Sequence, residues 1–148
     1  MESFRHVGPG PNGDRSTVIF KGGRFEGPKL RGVILPGGGD WEIVQDTVAD
    51  DDGLGEKQIQ TAYLDTRYNL ETHDGAVIYL RTTGTRTGRK EVLERLGEGE
   101  IGPDEYRMRL HCTMETGDKR YDWVNRGVFI ASSGRVGSQV IYDCFQVL

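Results

Sequence analysis

Cysteine is scarce: Cys112 and Cys144 are the two in the chain, and they do not form a C-x-x-C pair. A disulfide-stapled scaffold normally needs more, so reduced thiols in a cytoplasmic protein are expected. No apolar run approaches 18 residues, which excludes a helical membrane span. The opening stretch MESFRHVGPGPNGD has no apolar core and argues against a secretory signal. His6, His73 and His111 stand in three separate contexts without ligand spacing, so no metal site is expected. Lys and Arg number 19 against 23 Asp and Glu, a net charge of −4, which lacks the broad basic field of a nucleic-acid binder. A G-x-S-x-G elbow is absent. Gly8 to Gly13 formally matches G-x-G-x-x-G, but no strand precedes it and Pro9 and Pro11 block a following helix.

Glycine is plentiful, 22 residues falling between short β-rich runs, the composition of an all-β chain with many tight turns. At 148 residues a single domain, 1–148, is expected, with residues 1–15 as a loose N-terminal arm. Tyr63 to Thr83 reads as two strands joined at His73-Asp74-Gly75. A three-residue loop with Gly75 in the left-handed conformation places Thr72 opposite Ala76, Leu70 opposite Ile78 and Tyr68 opposite Leu80. Leu64 shares that apolar face; Asp65, Arg67, Asn69, Glu71, Val77, Tyr79 and Arg81 take the other. The polar face is either a solvated outer surface or the lining of a cavity, and the pattern leaves both open.

Elsewhere, Ser16–Lys21 and Val33–Leu35 are short strands, and Gly37-Gly38-Gly39 leads into Asp40-Trp41. Asp40 either caps backbone N–H groups while Trp41 plugs the core, or both stand at a pocket mouth. In the second case the aromatic wall would raise the Asp40 pKa and suit it to acid–base work. Asp50-Asp51-Asp52-Gly53 is a solvated acidic loop, since a calcium loop in this register would need carboxylates at Val48 and Ile59. Thr85–Lys90 is a basic turn, and Glu91–Leu96 allows one helical turn. Tyr106–Glu115 alternates cleanly, with Tyr106, Met108, Leu110, Cys112 and Met114 on the apolar face. Arg120–Ala131 is expected to be a strand covered on both sides, with Asn125 beside Trp123 either a satisfied buried amide or a pocket residue. Gln139–Leu148 is the last strand.

Three segments, GGRFEGPKLRGVILPGGGDW, DTRYNLETHDGAVIYLRTTGTRTG and ETGDKRYDWVNRGVFIASSGR, together resemble the domain-of-unknown-function family numbered three-two-three-seven, small proteins of bacteria and fungi. The resemblance runs from about Val7 to Leu148. It departs at the start, where an extra N-terminal strand of the family is reduced to Met1–His6. It implies a single antiparallel β-barrel of the calycin or allene-oxide-cyclase type, a homo-oligomer, and no cofactor or metal. Some fungal members resemble cofactor-free cyclases of natural-product pathways that close an ether ring on an aromatic polyketide by intramolecular hydroalkoxylation. In a barrel, either the polar hairpin face lines the cavity while the apolar face packs outward on another subunit, the favoured expectation, or the reverse holds, with an apolar cavity and a charged exterior. Asp40 is then the candidate acid, with Glu115 as the alternative. Arg67 and Arg81 would hold a phenolate or carbonyl oxygen. Trp41, Asp65, Asn69, Tyr79, Trp123 and Asn125 would shape the site for a small aromatic substrate. The rival expectation is a non-catalytic binding protein for a small hydrophobic or aromatic acid.

Overall fold

The computed structural model describes residues 3–50, 52–98 and 101–148; Asp51 of the acidic loop lies outside them. Among the described residues, eleven strands form one antiparallel sheet. They are β1 (Ser3–Gly10), β2 (Gly13–Ile19), β3 (Gly23–Glu26), β4 (Arg31–Ile34), β5 (Gly39–Asp40), β6 (Ile43–Ala49), β7 (Lys57–Thr72), β8 (Val77–Arg89), β9 (Tyr106–Glu115), β10 (Val128–Val136) and β11 (Gln139–Val147). The main path runs β1-β2-β5-β7-β8-β9-β10-β11; β4 and β6 pair other lengths of β7, β6 also touches β2, and β3 pairs β4. A single helical turn, α1 (Lys90–Leu93), follows β8.

The β7–β8 hairpin is the spine of the sheet, and its register is the one its side-chain pattern demands. Leu70 lies opposite Ile78 and Tyr68 opposite Leu80. The Thr72 N–H donates to the Ala76 carbonyl at 2.8 Å, and Gly75 turns at φ +89°. Leu64, Tyr68, Leu70, Ile78 and Leu80 are all buried, together with Met108, Leu110, Cys112 and Met114 of β9. This apolar face is the core, not an outward stripe for a second subunit. Arg67, Asn69, Glu71, Val77 and Arg81 are exposed on the opposite face. The polar-lined cavity expected from closure is therefore corrected: the polar hairpin face is the outer surface. The physical reason is desolvation, since burying both arginines and leaving the aliphatic row wet would lose on both counts.

Three other expectations change. The N-terminal arm is ordered as the β1–β2 hairpin, with a register shift between His6 and Gly8. The basic turn at 85–89 is instead the far end of β8, paired with both β7 and β9. Lys119–Arg126, which overlaps the start of the strand expected from Arg120, is a 3-10 helical segment whose N-cap, Asp118, accepts from the Arg120 N–H at 2.9 Å. Tyr121 and Val124, three residues apart, are its buried residues, the spacing that segment requires. Among the described residues no helix is long and apolar enough to cross a membrane.

Candidate functional site: an inward-facing charged cluster

Period-two alternation places Asp40 inside. On β5 it lies opposite Val18 of β2 and Thr66 of β7, and residues directly opposite in an antiparallel pair share a face. Asp40 is 7% exposed and its carboxylate accepts the Asp65 backbone N–H at 3.0 Å. The approach depends on the preceding glycines: a Cβ at Gly38 would lie 2.3 Å from the Tyr68 Cβ, and one at Gly39 2.8 Å from the Val18 carbonyl oxygen. The Gly-Gly run is thus a close backbone crossing that seats Asp40. Burial pushes the Asp40 carboxyl up to about 7, helped by the Glu42 charge and opposed by the Asp65 N–H and Arg86.

Glu42, two residues on, is buried on the same face. Its carboxylate stands 3.8 Å from the Arg86 guanidinium, side chains that are 11% and 16% exposed. Arg86 lies opposite Ala62 on β7 and Met108 on β9, so its side chain joins the core face. Arg86 Nε is buried with no hydrogen-bond partner among the described residues, and so is Ser133 Oγ of β10. Arg135 is half-buried; burial and the neighbouring Arg86 charge lower its pKa. Tyr106 Oη accepts the Arg135 backbone N–H at 2.8 Å. Farther along this face, the Thr66 and Thr82 hydroxyls are hydrogen-bonded, as are those of Tyr68 and Tyr142.

The other expected site residues lie elsewhere. Asp65 pairs on the outer face with Arg67 at 3.3 Å and Arg81 at 3.1 Å. Trp41 is 37% exposed, with Arg67 over its ring at 6.0 Å, so it cannot be the wall that perturbs Asp40. Asn69 is exposed and Tyr79 half-buried on that same outer side. Trp123 packs on Phe129 at 6.1 Å beneath Lys29. Asn125 clamps the turn before the 3-10 segment: it accepts from Thr116 N at 2.8 Å and donates to Thr116 O at 3.0 Å. Glu115, the alternative acid, is exposed on β9. Of the expected residues, Asp40 alone belongs to the inward cluster; Glu42, Arg86, Ser133 and Arg135 were missed. Extending the alternation would have found them, from Asp40 to Glu42, from Leu80 through Thr82 and Gly84 to Arg86, and from Phe129 through Ala131 and Ser133 to Arg135.

Among the described residues no group of three His, Cys, Asp or Glu side chains is placed to hold a metal. A surface cleft of about 580 Å³ beside β3 and β4 involves Arg24, Glu26, Arg31 and His73. A second, of about 250 Å³, involves Lys57, Arg89 and Lys90. Both are bordered mainly by exposed or half-buried side chains and neither includes Asp40, so the buried charges are the better guide to chemistry.

Fold and cluster together define an antiparallel all-β protein with ionisable groups turned into its core. The chain belongs to the family described as Protein of unknown function (DUF3237), matched over residues 1–147. It is 31% identical over 137 residues to UPF0311 protein RPA1785 of Rhodopseudomonas palustris, covering 92% of this chain and 82% of that one. UPF0311 protein CA_C3321 of Clostridium acetobutylicum is 30% identical over 136 residues, with 91% and 78% covered. Among solved structures, a beta-barrel like protein from Acinetobacter baumannii AYE aligns with TM-score 0.75 at 36% identity, over 97% of this chain and 85% of that one. The Rhodopseudomonas palustris protein of unknown function RPA1785 aligns with TM-score 0.82 at 30% identity, over 99% and 89%.

Proposed function

We propose that the protein is a cofactor-independent cyclase or isomerase that uses Asp40 as general acid and base on a small aromatic substrate. The observation that carries this reading is a carboxyl 7% exposed in the core beside the Glu42 and Arg86 pair, where burial pushes it up to about 7. Such a group is present in both protonation states near neutral pH, the condition for efficient proton transfer in either direction. Hydroalkoxylation is a reaction this group can run. Asp40 delivers its proton to one alkene carbon as the substrate hydroxyl oxygen bonds the other, and the hydroxyl proton returns to the carboxylate. The alkene π bond and the O–H bond break, C–H and C–O bonds form, and the product is an isomer of the substrate. The core face contributes by excluding water and holding the reacting atoms together.

The isomer balance supplies the test. In D2O, a 2-alkenylphenol closed by this route gains one non-exchangeable deuteron on carbon, read by mass spectrometry. Asp40→Asn is expected to lower turnover by about 10²-fold or more. Full turnover by that variant would remove Asp40 from the mechanism. The second reading, a binding protein for a hydrophobic or aromatic acid, is favoured by the inward arginines and predicts saturable binding without deuterium incorporation. The homo-oligomer draws support from the exposed apolar side chains Ile130, Phe145 and Val147 on the last two strands, and light scattering measures it directly.

A further inference from the structure

We propose that Arg86, Arg135 and Ser133 form a recognition subsite for the oxyanion of a monoanionic organic acid, a carboxylate or phenolate oxygen. This deepens the reading above by naming the substrate class, and rests on it only for what Asp40 does to the bound molecule.

Hydrogen-bond capacity is left unused at this place. A guanidinium carries five N–H donors and an alcohol both donates and accepts. Glu42 comes no nearer to Arg86 than 3.8 Å, beyond hydrogen-bond distance. Arg86 Nε and Ser133 Oγ are buried without partners. Buried polar atoms are ordinarily satisfied, and unsatisfied ones in a native fold call for a missing partner. Both residues lie directly opposite Met108, Arg86 from β8 and Ser133 from β10. They therefore flank one residue on one face and can converge on one ligand atom.

Charge points the same way. Arg135 follows Ser133 by two residues on β10 and shares its face. Its Nε donates to the Gly137 carbonyl at 2.7 Å, and its backbone is fixed by Tyr106, so the head group is positioned, with its terminal nitrogens making no hydrogen bond among the described residues. Arg86 and Arg135 repel each other, and Glu42 attracts both. With Asp40 protonated, one unit of positive charge is left over. A monoanion neutralises it; a dianion such as phosphate would leave a net negative charge buried beside Glu42. The apolar neighbours Ala62, Met108 and Leu110 suit the body of an aromatic acid rather than that of an inorganic ion.

The test uses benzoate as probe and neutral benzamide as its isostere, titrated into the intact protein at pH 6 by NMR. Benzoate is expected to bind at least about tenfold more tightly than benzamide. Arg86→Gln and Arg135→Gln should each lose that preference, and Ser133→Ala should weaken benzoate by a few-fold. Arg135→Lys keeps the charge without the fork and should fall between wild type and Arg135→Gln, which keeps the test usable if Arg86→Gln fails to fold. Asp40→Asn should bind benzoate as well as wild type at pH 6 and better at pH 8.5, where the wild-type carboxylate is ionised. Loss of turnover with retained benzoate binding in that variant thus separates catalysis from recognition. Equal affinities for benzoate and benzamide, or benzoate binding unchanged in both arginine variants, would overturn the subsite.

Discussion

Asp40 and Trp41 are consecutive in the chain, yet they stand on opposite faces of the sheet. Asp40 is 7% exposed and held by the Asp65 N–H, whereas Trp41 lies outside under Arg67. The alternation of an extended strand makes this unavoidable. The raised Asp40 pKa accordingly comes from burial, with Glu42 assisting, and owes nothing to the indole. Trp41→Ala should leave the Asp40 titration where it is and cost under about 1 kcal/mol in stability, read by urea denaturation.

Stability should depend on pH through Asp40. Its folded pKa of about 7 lies above the ordinary 3.8, so between those values the unfolded chain releases a proton that the folded one keeps. The associated stability is fully present below pH 4 and is lost as pH rises through 7, by about 4 kcal/mol at most. Asp40→Asn removes the ionisation and can still accept the Asp65 N–H. It should melt higher than wild type at pH 8, with the gap closing toward pH 4.

The glycines before Asp40 yield a steric prediction. Gly38→Ala would place a Cβ 2.3 Å from that of Tyr68 and 2.7 Å from the Arg67 carbonyl oxygen, so β5 must move away from β7. A loss of about 2 kcal/mol or more is expected, together with an Asp40 pKa falling toward the ordinary range as water reaches the carboxyl. Gly37→Ala is a poor control because that residue turns at φ +100°. Gly117→Ala, where a Cβ meets nothing within 4 Å, is the better one.

The outer hairpin face predicts silence. Arg67 and Arg81 share Asp65 at the surface, where ion pairs are weak and salt-screened. Arg81→Gln should leave the melting temperature in 0.5 M salt, and any turnover, indistinguishable from wild type.

Much of the fold was legible in the sequence, and much less of the site. The β7–β8 register follows from Leu70, Ile78, Tyr68 and Leu80 because a one-residue slip would wet the whole apolar row. Tyr106 to Met114 was equally plain. The 3-10 segment was not, since Tyr121, Trp123 and Phe129 mimic strand alternation while the capping by Asp118 is a local hydrogen bond that periodicity does not register. Arg67 and Arg81 stand on a hairpin face dense in charge, and that density marks the solvated outer face. The inward charges Glu42, Arg86 and Arg135 stand singly, each within an otherwise apolar or hydroxyl-bearing row, and a single arginine in Thr85–Lys90 looks like any basic turn. The glycines before Asp40 do mark a close backbone crossing that seats it in the core, whereas Trp41 lies on the other face.

The central claim is that Asp40 is a proton-transfer group tuned to neutral pH inside the core. Carbon-detected NMR titration of the Asp40 carboxyl in the folded protein tests it most directly. A midpoint near 7, unmoved by Trp41→Ala, is the predicted result. A midpoint below 5 would mean that the carboxylate is ionised throughout the physiological range, and would contradict the account.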